Sequence, residues 1–238
     1  MLRVTSLWKT YEHADGPVHA LRDVSLRVPQ RSFVTIAGPS GAGKSTLLLA
    51  LGGLLRPSSG EIQFRDLPLH SLGDARLAAF RRASVGFVMQ SFCLVPYLTA
   101  LGNVMLPLGL QRVPRDEQVE RSRAVLAELG LEDRANHLPR ELSAGQQQRV
   151  AIARATVTRP ALVLADEPTG NLDPALAREI QALLQGLNRE RGLTIVMVTH
   201  SPEAAALGTV RLRMEAGAVV SCEGSEVQAT DSLLHARA

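Results

Sequence analysis

Gly38-Pro39-Ser40-Gly41-Ala42-Gly43-Lys44-Ser45-Thr46 is a glycine-rich turn with a lysine at its exit. Two glycines with four residues between them, then Lys and Ser, make a phosphate-binding P-loop, and Gly38, Gly43, Lys44 and Ser45 supply these positions. Glycine lets the backbone curl until its N–H groups point inward at phosphate oxygens, a concavity that a Cβ would obstruct. Lys44 is placed to reach the β- and γ-phosphates, and the Ser45 hydroxyl to ligate Mg²⁺. The flanks agree with this. Ser32 to Ala37 (SFVTIA) reads as a buried strand, and Thr46 to Leu51 (TLLLAL) as the opening of a helix whose N-terminal dipole favours phosphate. The plainer reading is a glycine-rich turn between core elements, and the Lys-Ser-Thr exit weighs against it. The motif implies a bound nucleoside triphosphate.

Working outward, 238 residues can bury a full core and allow one large domain or two small ones. A hydrophobic content of 45% with 21% charge argues against disorder. The net charge of +3 is small, and Arg81-Arg82 is the only adjacent basic pair, so no phosphate-tracking stripe emerges. Aromatics at 3% disfavour a base-stacking surface, and we expect no nucleic-acid partner. Cys93 and Cys222 lack metal-like spacing and suggest a reducing compartment rather than a disulfide framework. The N-terminus lacks the apolar core of a signal peptide, and no stretch approaches the roughly 18 apolar residues that span a bilayer. Work at a membrane would therefore need another polypeptide to hold this chain there.

Strands and turns are expected up to Met89: Arg3 to Leu7, Val24 to Val28, Phe33 to Ala37, Ile62 to Phe64 and Ser84 to Met89. From about Val104 to Arg159 the pattern is helical, with helices over Asp116 to Leu129 and Ala144 to about Thr158. Strands return at Leu162 to Ala165 and Thr194 to Thr199 around a helix from Pro174 to Asn188, then at Val210 to Met214 and Ala218 to Val220. The chain thus reads as an α/β core with a helical insertion and a polar tail after Cys222.

Ala161 to Pro168 (ALVLADEP) is an apolar strand ending in two acids, with Asp166 suited to orient Mg²⁺ or its waters and Glu167 to polarise an attacking water. Paired acids at a strand end can also simply cap the following turn. Leu142-Ser143-Ala144-Gly145-Gln146 resembles the signature motif of the ATP-binding cassette (ABC) ATPases, and residues 1 to about 220 follow the order of motifs in that family. Tyr11 matches the aromatic residue that stacks on adenine, Gln90 the Q-loop glutamine, Gly170-Asn171-Leu172-Asp173 the D-loop, and His200 the switch histidine. A lone Tyr is usually core, a lone Gln surface and a lone His structural; the ordered set is what makes the likeness specific.

The resemblance implies an α/β P-loop NTPase (RecA-like) core, an N-terminal antiparallel β subdomain and an inserted α-helical signature subdomain. It implies a single domain over 1–238: a core of about 1–89 and 160–222, an insertion of about 90–159, and a polar tail at 223–238. By the same resemblance Gln90 touches Mg²⁺ or water, and His200 bonds the γ-phosphate and holds Glu167 and the water in line. Ser143 and the Gly145 N–H bind the γ-phosphate of ATP held by a second copy, so that ATP joins a homodimer head to tail. Gln146 and Asp173 belong to the same nucleotide-binding set. The cofactors implied are ATP and Mg²⁺. One departure stands out: the family usually has Gly at Ala144, which matters only where that position needs φ > 0 or close phosphate approach.

Gln90 to Leu108 (QSFCLVPYLTALGNVMLPL) and Leu162 to Asp173 (LVLADEPTGNLD) are similar to the subfamily that drives lipoprotein release and macrolide or peptide export. That likeness implies integral membrane permease partners docked on Gln90 to Leu108, at the cytoplasmic face of the inner membrane. Gly102 replaces the Glu usual before Asn103-Val104. The competing class is a soluble ABC ATPase acting on ribosomes or DNA. Ribosome-acting members carry tandem cassettes and DNA-repair members a long coiled-coil insertion; this chain has one cassette and an ordinary insertion. A regulatory cassette that does not hydrolyse is disfavoured by Glu167. The transported substrate is not written in the sequence, because such an ATPase does not touch it.

Overall fold

The computed structural model describes residues 1–14 and 16–224, and beyond Gly224 the expected polar tail lies outside the described residues. In chain order the elements begin with β1 (Leu2–Tyr11), β2 (Val18–Val28), β3 (Phe33–Ala37), α1 (Lys44–Leu51), β4 (Ser59–Phe64) and β5 (Leu67–Pro68). Next come α2 (Asp74–Ser84), β6 (Val85–Val88), α3 (Ala100–Leu110), α4 (Arg115–Glu128), α5 (Ala144–Thr156) and β7 (Leu162–Asp166). The chain continues through α6 (Pro174–Arg191), β8 (Thr194–Thr199), α7 (Pro202–Ala205), β9 (Val210–Glu215) and β10 (Ala218–Glu223). It divides into two compact units, Met1–Ala78 with the segment from Thr194 onward, and Ala79–Leu193.

The first unit holds an antiparallel sheet in the order β2-β1-β4-β5. Its inward residues alternate as a half-buried sheet requires, save for a register shift between Val4 and Leu7: Leu2, Val4 and Leu7 on β1 lie with Val24, Leu26 and Val28 on β2. In the same unit β3 pairs in parallel with β8 and β9, and β10 closes the edge antiparallel to β9. All of Phe33–Ile36 and all of Thr194–Thr199 are buried, the signature of parallel strands covered on both faces. Both apolar runs therefore read as continuous rather than alternating, and β8 has the limits expected from its sequence.

The second unit holds the parallel pair β6–β7, registered from Val85 opposite Leu162 to Val88 opposite Ala165, together with α3 to α6. Segment 90–159 contains helices and no strand. Gly86 lets β6 lie directly on α5: a Cβ there would stand 2.0 Å from the Ala155 carbonyl oxygen. α6 runs a turn past Asn188, because its stop is Gly192 in the left-handed region at φ 62°. α3 starts four residues before Val104, where the Thr99 Oγ1 accepts the Gly102 N–H at 3.1 Å.

One element corrects the sequence reading. Asp74–Ser84 is helical where only strands and turns were expected. Its apolar stripe amounts to Leu77 and Phe80, buried three residues apart amid arginines, too short for the periodicity to register. Asp74 in its first turn and Arg81 and Arg82 in its last complement the helix dipole.

Asn103 organises the segment between β6 and α3. Its side chain is fully buried, accepts the Val95 N–H at 2.7 Å and donates to the carbonyls of Val95, Leu98 and Thr99, each at 3.1 Å. Asn103→Leu would bury those backbone groups without partners. We expect a loss of about 3 kcal/mol in urea unfolding, as befits several orphaned buried polar groups.

Candidate functional site

In the first unit the P-loop leaves the end of β3 and enters α1. Parallel pairing sets Ala37 opposite Thr199, so Gly38 and His200 emerge side by side from the carboxyl ends of β3 and β8. Gly38, Gly41 and Gly43 all have positive φ, at 153°, 78° and 90°. A Cβ at Gly38 would stand 2.1 Å from the Met214 carbonyl oxygen, and one at Gly43 2.2 Å from that of Ala20. Gly41 instead faces open space, with nothing within 4 Å of where a Cβ would stand, so its φ and not crowding is what calls for glycine there. The Lys44 side chain is buried, and its Nζ donates to the carbonyls of Gly38 at 2.8 Å and Pro39 at 2.9 Å. The ammonium is thereby held across the loop. Ala42 N–H bonds back to the Pro39 carbonyl at 3.2 Å, while Ser40 and Ser45 are exposed and Thr46 lies in the opening turn of α1. Tyr11 ends β1, about one third exposed, with the Lys9 ammonium 4.9 Å from its ring centre.

In the second unit the parallel β6–β7 register brings Gln90 and the Asp166-Glu167 pair out at the same strand ends. A Cβ built on Gly170 would stand 3.0 Å from Gln90 Nε2 and 3.4 Å from Glu167 Oε2, so both side chains flank that glycine. Asn171 ties to Gln90 twice: its Nδ2 donates to the Gln90 carbonyl at 3.0 Å, and its Oδ1 accepts from Gln90 Nε2 at 3.5 Å. Glu167 has φ 45°, a left-handed conformation that is unusual outside glycine and asparagine and stores strain at the acid.

Ser143 caps α5: its Oγ accepts the Gln146 N–H at 3.3 Å while Gln146 Oε1 accepts the Ser143 N–H at 3.0 Å. Ala144 then occupies the first helical position, exposed and with ordinary negative φ, so the departure from glycine brings no strain here. Gly145 is buried, and a Cβ on it would meet Leu176 at 3.0 Å. Leu176 belongs to α6, whose cap is Asp173, with Oδ1 accepting the N–H groups of Ala175 at 3.0 Å and Leu176 at 3.1 Å. The starts of α5 and α6 are therefore packed together, and the Asp173 carboxylate is engaged in capping.

Some contributors went unseen in the sequence. The Ala216-Gly217 turn of the β9–β10 hairpin donates the Gly217 N–H to the Ala42 carbonyl at 3.2 Å and accepts the Arg22 N–H at 2.8 Å, buttressing the P-loop from behind. Arg154 reaches from α5 to the carbonyls of Phe92 and Cys93. Only spatial proximity reveals these; an Ala-Gly turn and an Arg within a helical apolar run carry no signal of their own. Both cysteines are free thiols, and burial together with Glu223 pushes Cys222 above the usual thiol range.

With this geometry in place, comparison with known proteins is informative. A family model described as "ABC transporter" matches residues 21–170. The lipoprotein-releasing system ATP-binding protein LolD of Myxococcus xanthus is 45% identical over 92% of this chain and 98% of its own length. The protein of the same name in Bordetella pertussis is 47% identical over 91% of this chain and 94% of its own. Among solved structures, the ATP-binding cassette MJ0796, a dimer in a post-hydrolysis state bound to ADP and Pi, superposes with a TM-score of 0.87. It is 41% identical over 94% of this chain and 98% of that one.

Lys44→Ala removes the cation held over the loop. We expect ATP affinity, titrated with a fluorescent nucleotide, to fall by at least about a hundredfold, the scale of losing charge-assisted bonds to phosphate. The fold should survive by circular dichroism, and unchanged affinity would exclude the loop as the phosphate site.

Proposed function

The chain belongs to the ABC transporter family and is an ATP-hydrolysing, ATP-binding subunit; from that premise we propose that it powers release or export at a membrane by ATP-driven closure of a homodimer. What supports this most directly is the intact Glu167, held at positive φ beside Gln90 and Gly170, in a chain whose P-loop is also complete. A cassette serving only for regulation would have no need to keep a strained acid at that position.

The roles follow from chemistry. Gly38 to Thr46 cradle the phosphates through their backbone N–H groups, Pro39 having none and Ala42 donating its own to the Pro39 carbonyl, and Lys44 balances the phosphate charge. Tyr11 offers an aromatic face to adenine, giving affinity with little base selectivity. Ser45, Gln90 and Asp166 are the groups that would hold Mg²⁺, which when bound supplies charge neutralisation at the phosphate oxygens. Glu167 draws a proton from the attacking water, and His200 donates to the terminal phosphate. In the homodimer, Ser143 and the Gly145 N–H at the start of α5 meet the terminal phosphate held by the other copy, as helix N-termini do with anions, with Gln146 completing that cap and Asp173 fixing the neighbouring helix.

Among the described residues no helix is long and apolar enough to cross a membrane. We therefore assign the membrane step to separate permease subunits, with this chain peripheral on the cytoplasmic face of the inner membrane. We place the docking surface on the segment from Gln90 to Leu108, where Tyr97 is 79% exposed and Leu106 also faces outward. Identity with LolD proteins over nearly their full length favours the lipoprotein-release or macrolide-export type.

Two measurements test this. Glu167→Gln keeps the packing but loses the base, so hydrolysis should fall by about a thousandfold or more while ATP binding persists. On size exclusion with ATP and Mg²⁺ the variant should run as a dimer where the parent runs mostly as a monomer. Continued hydrolysis without dimerisation would overturn the reading. Co-purification from detergent-solubilised membranes should recover a membrane protein, and Tyr97→Asp should abolish that recovery without altering nucleotide binding, because a charge in an apolar contact loses hydration it cannot regain. Recovery of ribosomes or DNA instead would favour the soluble class.

A further inference from the structure

Phe92 and Cys93, directly after Gln90 and Ser91, both adopt left-handed backbone conformations, at φ 59° and 49°. Neither is glycine, and two such residues in succession need an external hold. Arg154 provides it. Its guanidinium donates through Nη2 to the Phe92 carbonyl at 2.8 Å and through Nη1 to that of Cys93. Among the described residues it makes no ion pair with a carboxylate, and burial lowers its pKa, with the nearby Cys93 acting in the opposite sense. A desolvated cation facing two carbonyls makes strong bonds, and the planar guanidinium fixes their mutual direction through two separate nitrogens.

The partners of these residues extend the connection. Arg154 lies in α5, whose N-terminus carries Ser143 and Gly145. Its neighbour Ala155 is the residue whose carbonyl meets β6 at Gly86, so β6 rides directly on α5. At the other end of the loop, Asn171 grips Gln90 through its carbonyl and its side chain. The loop from Gln90 to Cys93 is thus pinned at its start by the segment after β7 and at its exit by α5. Beyond the exit, Val95 to Thr99 are locked to α3 by Asn103.

We propose that Arg154 is a positioning residue that locks the exit of the Gln90 loop to α5, so that displacement of the α5 N-terminus by nucleotide is passed to Gln90 and to the docking surface beyond Leu94. The proposal rests on the ATP-driven closure argued above. Arg154 acts through the loop carbonyls it holds.

The test uses the full chain in the Glu167→Gln background, with hydrogen–deuterium exchange read on peptides covering 91–99 and 144–156. With ATP and Mg²⁺, both peptides of the parent should gain protection. With Arg154→Gln added, 144–156 should keep its protection while 91–99 loses its response to ATP. In the otherwise unaltered chain, Arg154→Gln should lower kcat about tenfold with KM for ATP changed less than about twofold, and Arg154→Lys, which keeps the charge but gathers its donors on one nitrogen in place of a rigid fork, should recover only part of it. A purely structural arginine would instead show a lower melting temperature with the 91–99 response intact, and that result overturns the inference. Should Arg154→Gln fail to fold, Arg154→Lys is read by the same exchange criterion. If the parent shows no ATP-dependent protection of 144–156 and no dimer, the closure reading fails and takes this inference with it. If the parent responds and 91–99 of both variants responds equally, the inference alone fails.

Discussion

The unit that carries the P-loop depends on backbone approaching backbone where no side chain fits. Gly38 and Gly43 sit at positive φ, with the carbonyls of Met214 and Ala20 where their Cβ atoms would be. That contact fixes the curl of the loop and packs it against β9 and β2. The β9–β10 turn adds its own bond to Ala42, and the Lys44 ammonium spans the loop through two of its carbonyls. The loop is therefore shaped by its own contacts, and little ordering entropy would be left to lose on binding a phosphate.

The second unit is organised around a different constraint, the shared exit of two parallel strands. Because β6 and β7 are in register, Gln90 and the acids Asp166 and Glu167 leave the sheet together, and Gly170 is small enough to let both long side chains close on it. Glu167 carries the strain of this arrangement in its φ angle. Strain of order 1–3 kcal/mol persists only where its surroundings over-determine it, and here the two hydrogen bonds between Gln90 and Asn171 stand beside it.

The sequence made legible whatever is carried by local rules. The β3 and β8 runs are unbroken because they are covered on both faces, and the P-loop spacing is a backbone requirement visible as glycines. The signature cap is a Ser with a Gln three residues on. What stayed hidden depends on contacts between distant segments. Helix α2 has too few apolar residues to announce its period. Asn103 reads as an ordinary polar residue until the carbonyls around it are seen. Arg154 and Gly217 act on Cys93 and Ala42, which are 61 and 175 positions away in the chain. Of the two demands that would make Ala144 matter, the fold answers the backbone one, since its position does not ask for positive φ.

The strength of the Arg154 clamp bears on what the Gln90 loop can do. Charge-assisted hydrogen bonds contribute about 1.5–3 kcal/mol each, and one fork makes two. Coupling free energies between sites are typically about 1–3 kcal/mol. The clamp is thus at least as strong as the signal it would carry, so it acts as a rigid link rather than one that yields under load. The compliance needed for motion must then lie elsewhere along the loop. The Gln90–Asn171 contact, made by neutral amides and stretched to 3.5 Å on one side, is the weaker of the two pins. A loop held stiffly at its exit and lightly at its start follows α5 and lets Gln90 move.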